Sequence, residues 1–369
     1  MSENIIKETA GSAFYGCDFV LKLPIERAGK EIRLLQLTDM QVIDALQRAY
    51  PERLGNDEIE AWLPENFDIQ CGDHIRSLIT QTHPDLIFIT GDIVYGSFDA
   101  SGKVMEWFCA LMDSFKIPWA PVFGNHDNET ERGVSWQCEQ FYKSEYCLFR
   151  RGEVSGNGNY TVGIAVGDKL IRVLHMLDSN GCKNGTDPSI IKEKGIYPDQ
   201  LELVSENTEL IKSAQGRAVP AFIAFHIPVD SFKEAELAKG YSKVGEKPAY
   251  FIGVNTVAKD DDFGFNLEDY KPIQTDGHFI EFLKKNNIDA AFAGHQHKNC
   301  TCISYEGIKW VFGLKTGQYD YHLPGQIGGT LITLCDENFK VSHVPSLVRL
   351  APMPQSAPMF KNFFATGEK

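Results

Sequence analysis

DLIFITGD, residues 85–92, begins as a strand and stops abruptly: apolar Leu86 to Ile89 run into Thr90 and then Gly91-Asp92. A short apolar run, rich in β-branched and aromatic residues and cut off by glycine, marks a strand buried on both faces. Four further runs have this form: IRLLQLTD (32–39), WAPVFGNHD (119–127), AFIAFHIP (221–228) and AAFAGHQH (290–297). Each reaches Asp, Asn or His at its end, so the strand ends carry metal-capable side chains. Between them lie stretches of helical period, Gly72 to Thr82, Val104 to Phe115, Pro198 to Ala214 and Asp276 to Asn287. This alternation predicts α/β architecture with ligands gathered beyond the carboxyl ends of the strands.

The last third reads differently. TCISYEGIKWVFGL (301–314) and GGTLITLCDENFKVSHV (328–344) have the pattern of hairpins with little helix. The economical arrangement is two stacked sheets, one antiparallel in part, flanked by helices: an αββα sandwich. Residues 31–349 form that domain, 1–30 an extension packed on it, and 350–369 a Pro-rich tail. Two long, polar, turn-rich segments, 40–71 and 229–275, each follow a strand that ends in a candidate ligand and are expected to wall the mouth of the site.

A net charge of −14 disfavours bulk binding to a nucleic-acid backbone. No apolar run reaches the ~18 residues of a membrane span. Nine cysteines without a repeated spacing imply no disulfide framework, and the start MSENIIKETAGSAFYG has no secretory pattern. A reducing cytoplasm is the expected compartment, with secretion the alternative if a leader precedes the numbering.

Taken singly, Gly91-Asp92, Asn125-His126-Asp127, His226 and His295-Gln296-His297 each have a plain structural reading as a turn, a cap or a core histidine. Their order, each at the end of an apolar run, does not. With the motifs TDMQ, GDIVYG, GNHDNE, FHIP and GHQHKN, residues 32–322 resemble the calcineurin-like metallophosphoesterase superfamily, which includes the purple acid phosphatases. The resemblance implies two metal ions about 3.5 Å apart. By motif, Asp92 bridges both ions, Asp39 and His297 serve the first, and Asn125, His226 and His295 the second.

The first motif of that superfamily is Asp-x-His, whereas here the third position is Gln41. Three residues after Asp92 stands Tyr95, matching the GDxxY arrangement in which a tyrosinate ligates iron and the Asp-x-His histidine is absent. A phenolate is a hard anionic donor suited to a trivalent ion. The implied pair is therefore iron with a divalent iron, manganese or zinc, although Tyr95 also reads as a residue packed beside the strand.

The implied reaction is hydrolysis of small phosphate esters, monoesters favoured, by a metal-bound hydroxide, with His126 binding the phosphate or protonating the leaving oxygen. Asp39, Asp127 or a backbone carbonyl are the partners considered for His126. Two alternatives stay open: a phosphodiesterase for a nucleotide or head-group substrate, and an inactive binding protein on the same fold. Arg48, Arg53 and Arg132 read mainly as solvated, Asn299, Tyr319 and Tyr321 as candidates for the mouth, and His175, Cys300 and Cys302 as strand residues.

Overall fold

A computed structural model describes residues 4–7, 9–44, 61–62, 69–99, 101–240, 261–323 and 325–348 of the 369. Arg48, Arg53, the tail from 350 and much of the two long segments lie outside the described residues. In chain order the main elements are β1 (Ile5–Ile6), β2 (Phe19–Leu23), β3 (Ile32–Leu37), α1 (His74–Thr82), β4 (Leu86–Thr90), α2 (Val104–Ser114), β5 (Trp119–Val122), α3 (Gly133–Lys143), β6 (Tyr160–Val166), β7 (Lys169–Met176), α4 (Pro198–Gln215), β8 (Ala221–Ala224), α5 (Asp230–Ala238), α6 (Phe279–Lys285), β9 (Ile288–Ala293), β10 (Cys302–Tyr305), β11 (Ile308–Phe312), β12 (Gly328–Cys335) and β13 (Asn338–Pro345).

They form two sheets flanked by helices, of order β1-β2-β6-β7-β8-β9-β11-β10 and β13-β12-β3-β4-β5. β4 runs parallel to β3 and β5 on either side and all five of its residues are buried, which is why its sequence is continuously apolar. The core between the sheets is aromatic: Phe292 meets Phe88 edge-on at 5.4 Å and Phe222 at 5.3 Å between centroids. On the other face of the larger sheet, Ile223, Phe225, Phe232, Phe279 and Leu283 form a second cluster beneath the helices.

The two C-terminal hairpins part company. β12–β13 extends the smaller sheet antiparallel to β3, but β10–β11 joins the larger sheet, with β11 parallel to β9. Both hairpins are apolar enough for either sheet; strand pairing at long range decides, and local pattern carries no trace of it. The segment between them crosses from one sheet to the other, with Gly313 N donating to Ala293 O at 2.9 Å and Thr316 N to Thr38 O at 2.8 Å. Cys300 and Cys302 fall in different apolar clusters, and His175 is core, its Nδ1 3.0 Å from Thr161 Oγ1.

α5 corrects the reading of 229–275 as a turn-rich loop. Within its nine residues only Phe232 and Ala235 supply buried apolar side chains, too few to reveal a helical period. The same helix buries Glu236, whose Oε2 accepts from Asn266 Nδ2 at 2.9 Å and Tyr270 Oη at 3.1 Å. Burial pushes its carboxyl from 4.5 up to about 8, against those two hydrogen bonds and Lys233. Between those values the folded chain holds a proton that the unfolded chain has released, so stability falls as pH rises, by about 1.4 kcal/mol per pH unit. Glu236→Gln removes this slope. Its melting temperature is expected to exceed that of the parent at pH 8 and to match it near pH 4.5; equal melting temperatures at both would contradict a protonated Glu236.

Candidate metal centre

The side chains singled out from sequence collect where the two sheets end together. Asp39 follows β3, Asp92 follows β4, and Asn125 and His126 follow β5 in the smaller sheet; His226 follows β8, and His295 and His297 follow β9, in the larger. Main-chain bonds stitch these ends, from Asp39 N to Gly91 O at 3.1 Å and from Gly294 N to His226 O at 3.0 Å. The turns are sharp enough to force Asp39 (φ 52°), Asp92 (φ 50°) and His295 (φ 70°) into the left-handed region. Such conformations cost about 1–3 kcal/mol each and persist where the surroundings enforce them. Two glycines make the approach possible. A Cβ on Gly91 would lie 2.6 Å from Gly124 N, and one on Gly124 2.2 Å from Asp92 Oδ1.

Two triads of ligand atoms result. Asp92, His226 and His295 form one and Asp39, Asp92 and His297 the other, the atoms of each lying within 4.8 Å of one another. Asp92 belongs to both. His226 Nδ1 donates to Thr90 O at 2.7 Å and His297 Nδ1 to Tyr321 O at 3.0 Å, which turns each Nε2 lone pair inward. His226 Nε2 then stands 3.2 Å from Asp92 Oδ2, and His297 Nε2 3.3 Å from Asp39 Oδ1. Those two carboxylate oxygens and Asn125 Oδ1 are buried without a hydrogen-bond partner. Lone pairs facing one another at such distances repel unless positive charge, a proton on the imidazole or a metal ion, lies between them.

The electrostatics agree. Burial alone would raise the Asp39 and Asp92 carboxyls, but the histidines outweigh it and hold both below the ordinary range, Asp39 at about 2. Burial pulls His226 down, yet Asp92 and Asp39 draw it up to about 9; His295 is pushed down to about 3, first by burial and then by His226. Two ionised carboxylates thus attract cations to one buried spot. The donor set, carboxylate and amide oxygens with imidazole nitrogens, fits a pair of metal ions sharing Asp92.

His126 sits beside this cluster. Its backbone N donates to Asp92 Oδ1 at 2.8 Å, and its ring Nδ1 lies 3.0 Å from Glu129 Oε2. None of the partners considered from sequence holds its ring. Asp127 instead clamps the turns, accepting from Val94 N at 2.8 Å and Gly124 N at 2.7 Å, and Asp39 is taken by Thr38, His295 and His297. Glu129 stands three residues on in the same helical turn, a spacing visible in GNHDNE. Burial lowers the His126 pKa, but Asp92 and Glu129 outweigh it and keep it above the ordinary value. Tyr95 is buried with its ring against His126 at 4.9 Å, Phe98 at 4.8 Å and Trp62 at 6.3 Å.

Gln41 does not stand alone either. Its Oε1 accepts from Lys315 Nζ at 2.6 Å, and the same ammonium reaches Asp39 O at 2.8 Å. Nothing in LKTG distinguishes this lysine in sequence; only the crossing between the sheets brings it here. A cavity of about 320 Å³ opens over the cluster, lined by Asp92, His126, His295, His297, Tyr321 and Lys194 among others. Of the other residues considered for the mouth, Asn299 is buried and caps Leu267 N and Glu268 N, and Tyr319 is buried with its ring on Trp62; Arg132, read as solvated, is exposed and lies over the Trp136 ring.

A two-sheet sandwich with paired ligand triads at its strand ends is the design of a metallophosphatase. Residues 32–299 match the calcineurin-like phosphoesterase family, and the chain belongs to it. Among curated proteins it is 27% identical over 286 residues to "Probable inactive purple acid phosphatase 28" of Arabidopsis thaliana, covering 70% of this chain and 64% of that protein. It is 26% identical over 243 residues to "Phosphatase DCR2" of Saccharomyces cerevisiae, covering 62% of this chain and 38% of that one. The chain thus spans less than two thirds of the length of either relative. A solved dimetal phosphatase from Danio rerio shares the fold, with a TM-score of 0.50 at 12% identity over 86% of this chain and 97% of the other. Among the described residues no helix is long and apolar enough to cross a membrane.

Proposed function

We propose that this protein is a binuclear-metal phosphoesterase that hydrolyses small phosphate esters, monoesters in preference to diesters. The observation that carries the reading is the pair of ligand triads sharing Asp92. Asp39, Tyr95 and His297 complete the first position, and Asn125, His226 and His295 the second. When bound, the two ions lower the pKa of the attacking water and neutralise the phosphoryl oxygens. The protein's part is to place acid and substrate. His126 gives its Nε2 proton to the departing oxygen, while Glu129 fixes the ring by holding Nδ1–H. The cavity size fits a small substrate, and the −14 charge disfavours a nucleic-acid lattice.

p-Nitrophenyl phosphate and bis-p-nitrophenyl phosphate, offered with manganese, iron or zinc, test this. Faster cleavage of the monoester supports the reading; faster cleavage of the diester moves it to a phosphodiesterase; cleavage of neither removes it. One observation favours an inactive binding protein instead: Gln41, where Asp-x-His has its histidine, is held by Lys315. The name of the Arabidopsis relative points the same way. Two bound ions without hydrolysis of any ester would select that reading.

A phenolate donor from Tyr95 would suit iron in the first position, paired with divalent iron, manganese or zinc. The iron-loaded protein is expected to show a visible charge-transfer band that Tyr95→Phe abolishes. A band unchanged in that variant would exclude Tyr95 as a ligand. Nine free cysteines, eight of them buried, support a reducing compartment.

A further inference from the structure

Lys315 is a buried cation whose partners are chosen by chemistry. An ammonium has three donors and no acceptor, so the atom 2.6 Å from its Nζ must be the Gln41 carbonyl oxygen, Oε1. That oxygen is the one atom through which glutamine could bind a metal; the lysine takes one of its two lone pairs, and its charge 2.6 Å away opposes a second cation at the other. The amide nitrogen, left buried without a partner, has no lone pair to offer. The arrangement is rigid. Gln41 is held at φ 48°, with its N donating to Asp92 O at 2.8 Å. The lysine's own segment lies against the turn so closely that a Cβ on Gly317 would sit 1.9 Å from Met40 O. Lys315 and Gln41 are both at most 1% exposed, so water does not compete for either.

We propose that Lys315 is a positioning residue that removes Gln41 from the first-ion position, leaving that position to Asp39, Asp92, Tyr95 and His297. The lysine does so by capturing the Gln41 side-chain oxygen while bracing the Asp39 carbonyl, and thereby fixes the turn that carries the Asp39 carboxylate. The loss of a histidine ligand at residue 41 is thus built into the site by a second residue. Restoring histidine there is not enough to restore a ligand, because an imidazole nitrogen facing the ammonium accepts from it. This inference rests on the two-ion reading above.

The test is calorimetric titration of the full-length, metal-stripped chain with Mn²⁺, resolving two sites. Gln41→His is expected to change affinity at the first position by less than about threefold with Lys315 present, but to tighten it by about tenfold or more in the Lys315→Met background, the scale of partner effects on metal ligands. Affinity at the second position stays constant and reports on folding. Gln41→Met, which leaves Lys315 in place, is expected to keep both ions. Equal tightening by Gln41→His in both backgrounds, no tightening in either, or loss of the first ion in Gln41→Met overturns the role of Lys315 while leaving two ions in the parent. A parent chain that binds no Mn²⁺ overturns the two-ion reading and this inference together.

Discussion

Asp92→Asn is expected to lower kcat for phosphate esters by at least about 10³-fold, more than ~4 kcal/mol of transition-state stabilisation. The loss follows from its place in both triads: one substitution takes the shared anionic donor from both cation positions at once. The fold should survive. Asparagine retains an oxygen to accept from His126 N, now 2.8 Å from Asp92 Oδ1, and it lifts the repulsion that, after burial, helps to raise the Asp127 carboxyl. The signature is therefore specific. The parent gains thermal stability when ions are added, by mass action, and the variant does not. A variant that still binds two ions and still turns over would show that Asp92 is not shared between the two positions.

His126→Ala is expected to act on chemistry and leave ion content alone. General acid catalysis contributes about 10²–10⁴-fold, and its size depends on how badly the leaving oxygen needs a proton. An alkyl phosphate such as glycerol phosphate should lose most of that factor, while p-nitrophenyl phosphate, whose phenolate leaves unaided, should lose far less. Glu129→Gln keeps the ring's position but weakens its hold on Nδ1–H, now 3.0 Å away, so a smaller loss of about tenfold is expected on the alkyl ester. Equal losses on both substrates would make His126 a phosphate-binding residue. Loss of an ion would make it a structural one.

What was legible in the sequence is what a short range of chain can encode. A strand end such as ITGD or AGHQH carries both its burial and its candidate ligand, and seven of the eight residues chosen from sequence lie where the two sheets end together. Tyr95 lies beside the same junction, packed on His126. Less visible were features that depend on contacts between distant segments. Lys315 reaches Gln41 from 274 residues away, and the hairpins sort between sheets by pairing with β9 and β3. Glu129 is the intermediate case: its spacing from His126 was in view, but a helical turn had to be known before the two could be paired.

Metal analysis of the full chain decides whether the paired triads hold two ions. After loading with manganese, iron or zinc and removal of free metal, two ions per chain are expected in the parent, with hydrolysis of phosphate esters lost on chelation and regained on reloading. One ion or none per chain, under all three metals, would contradict the two-ion reading.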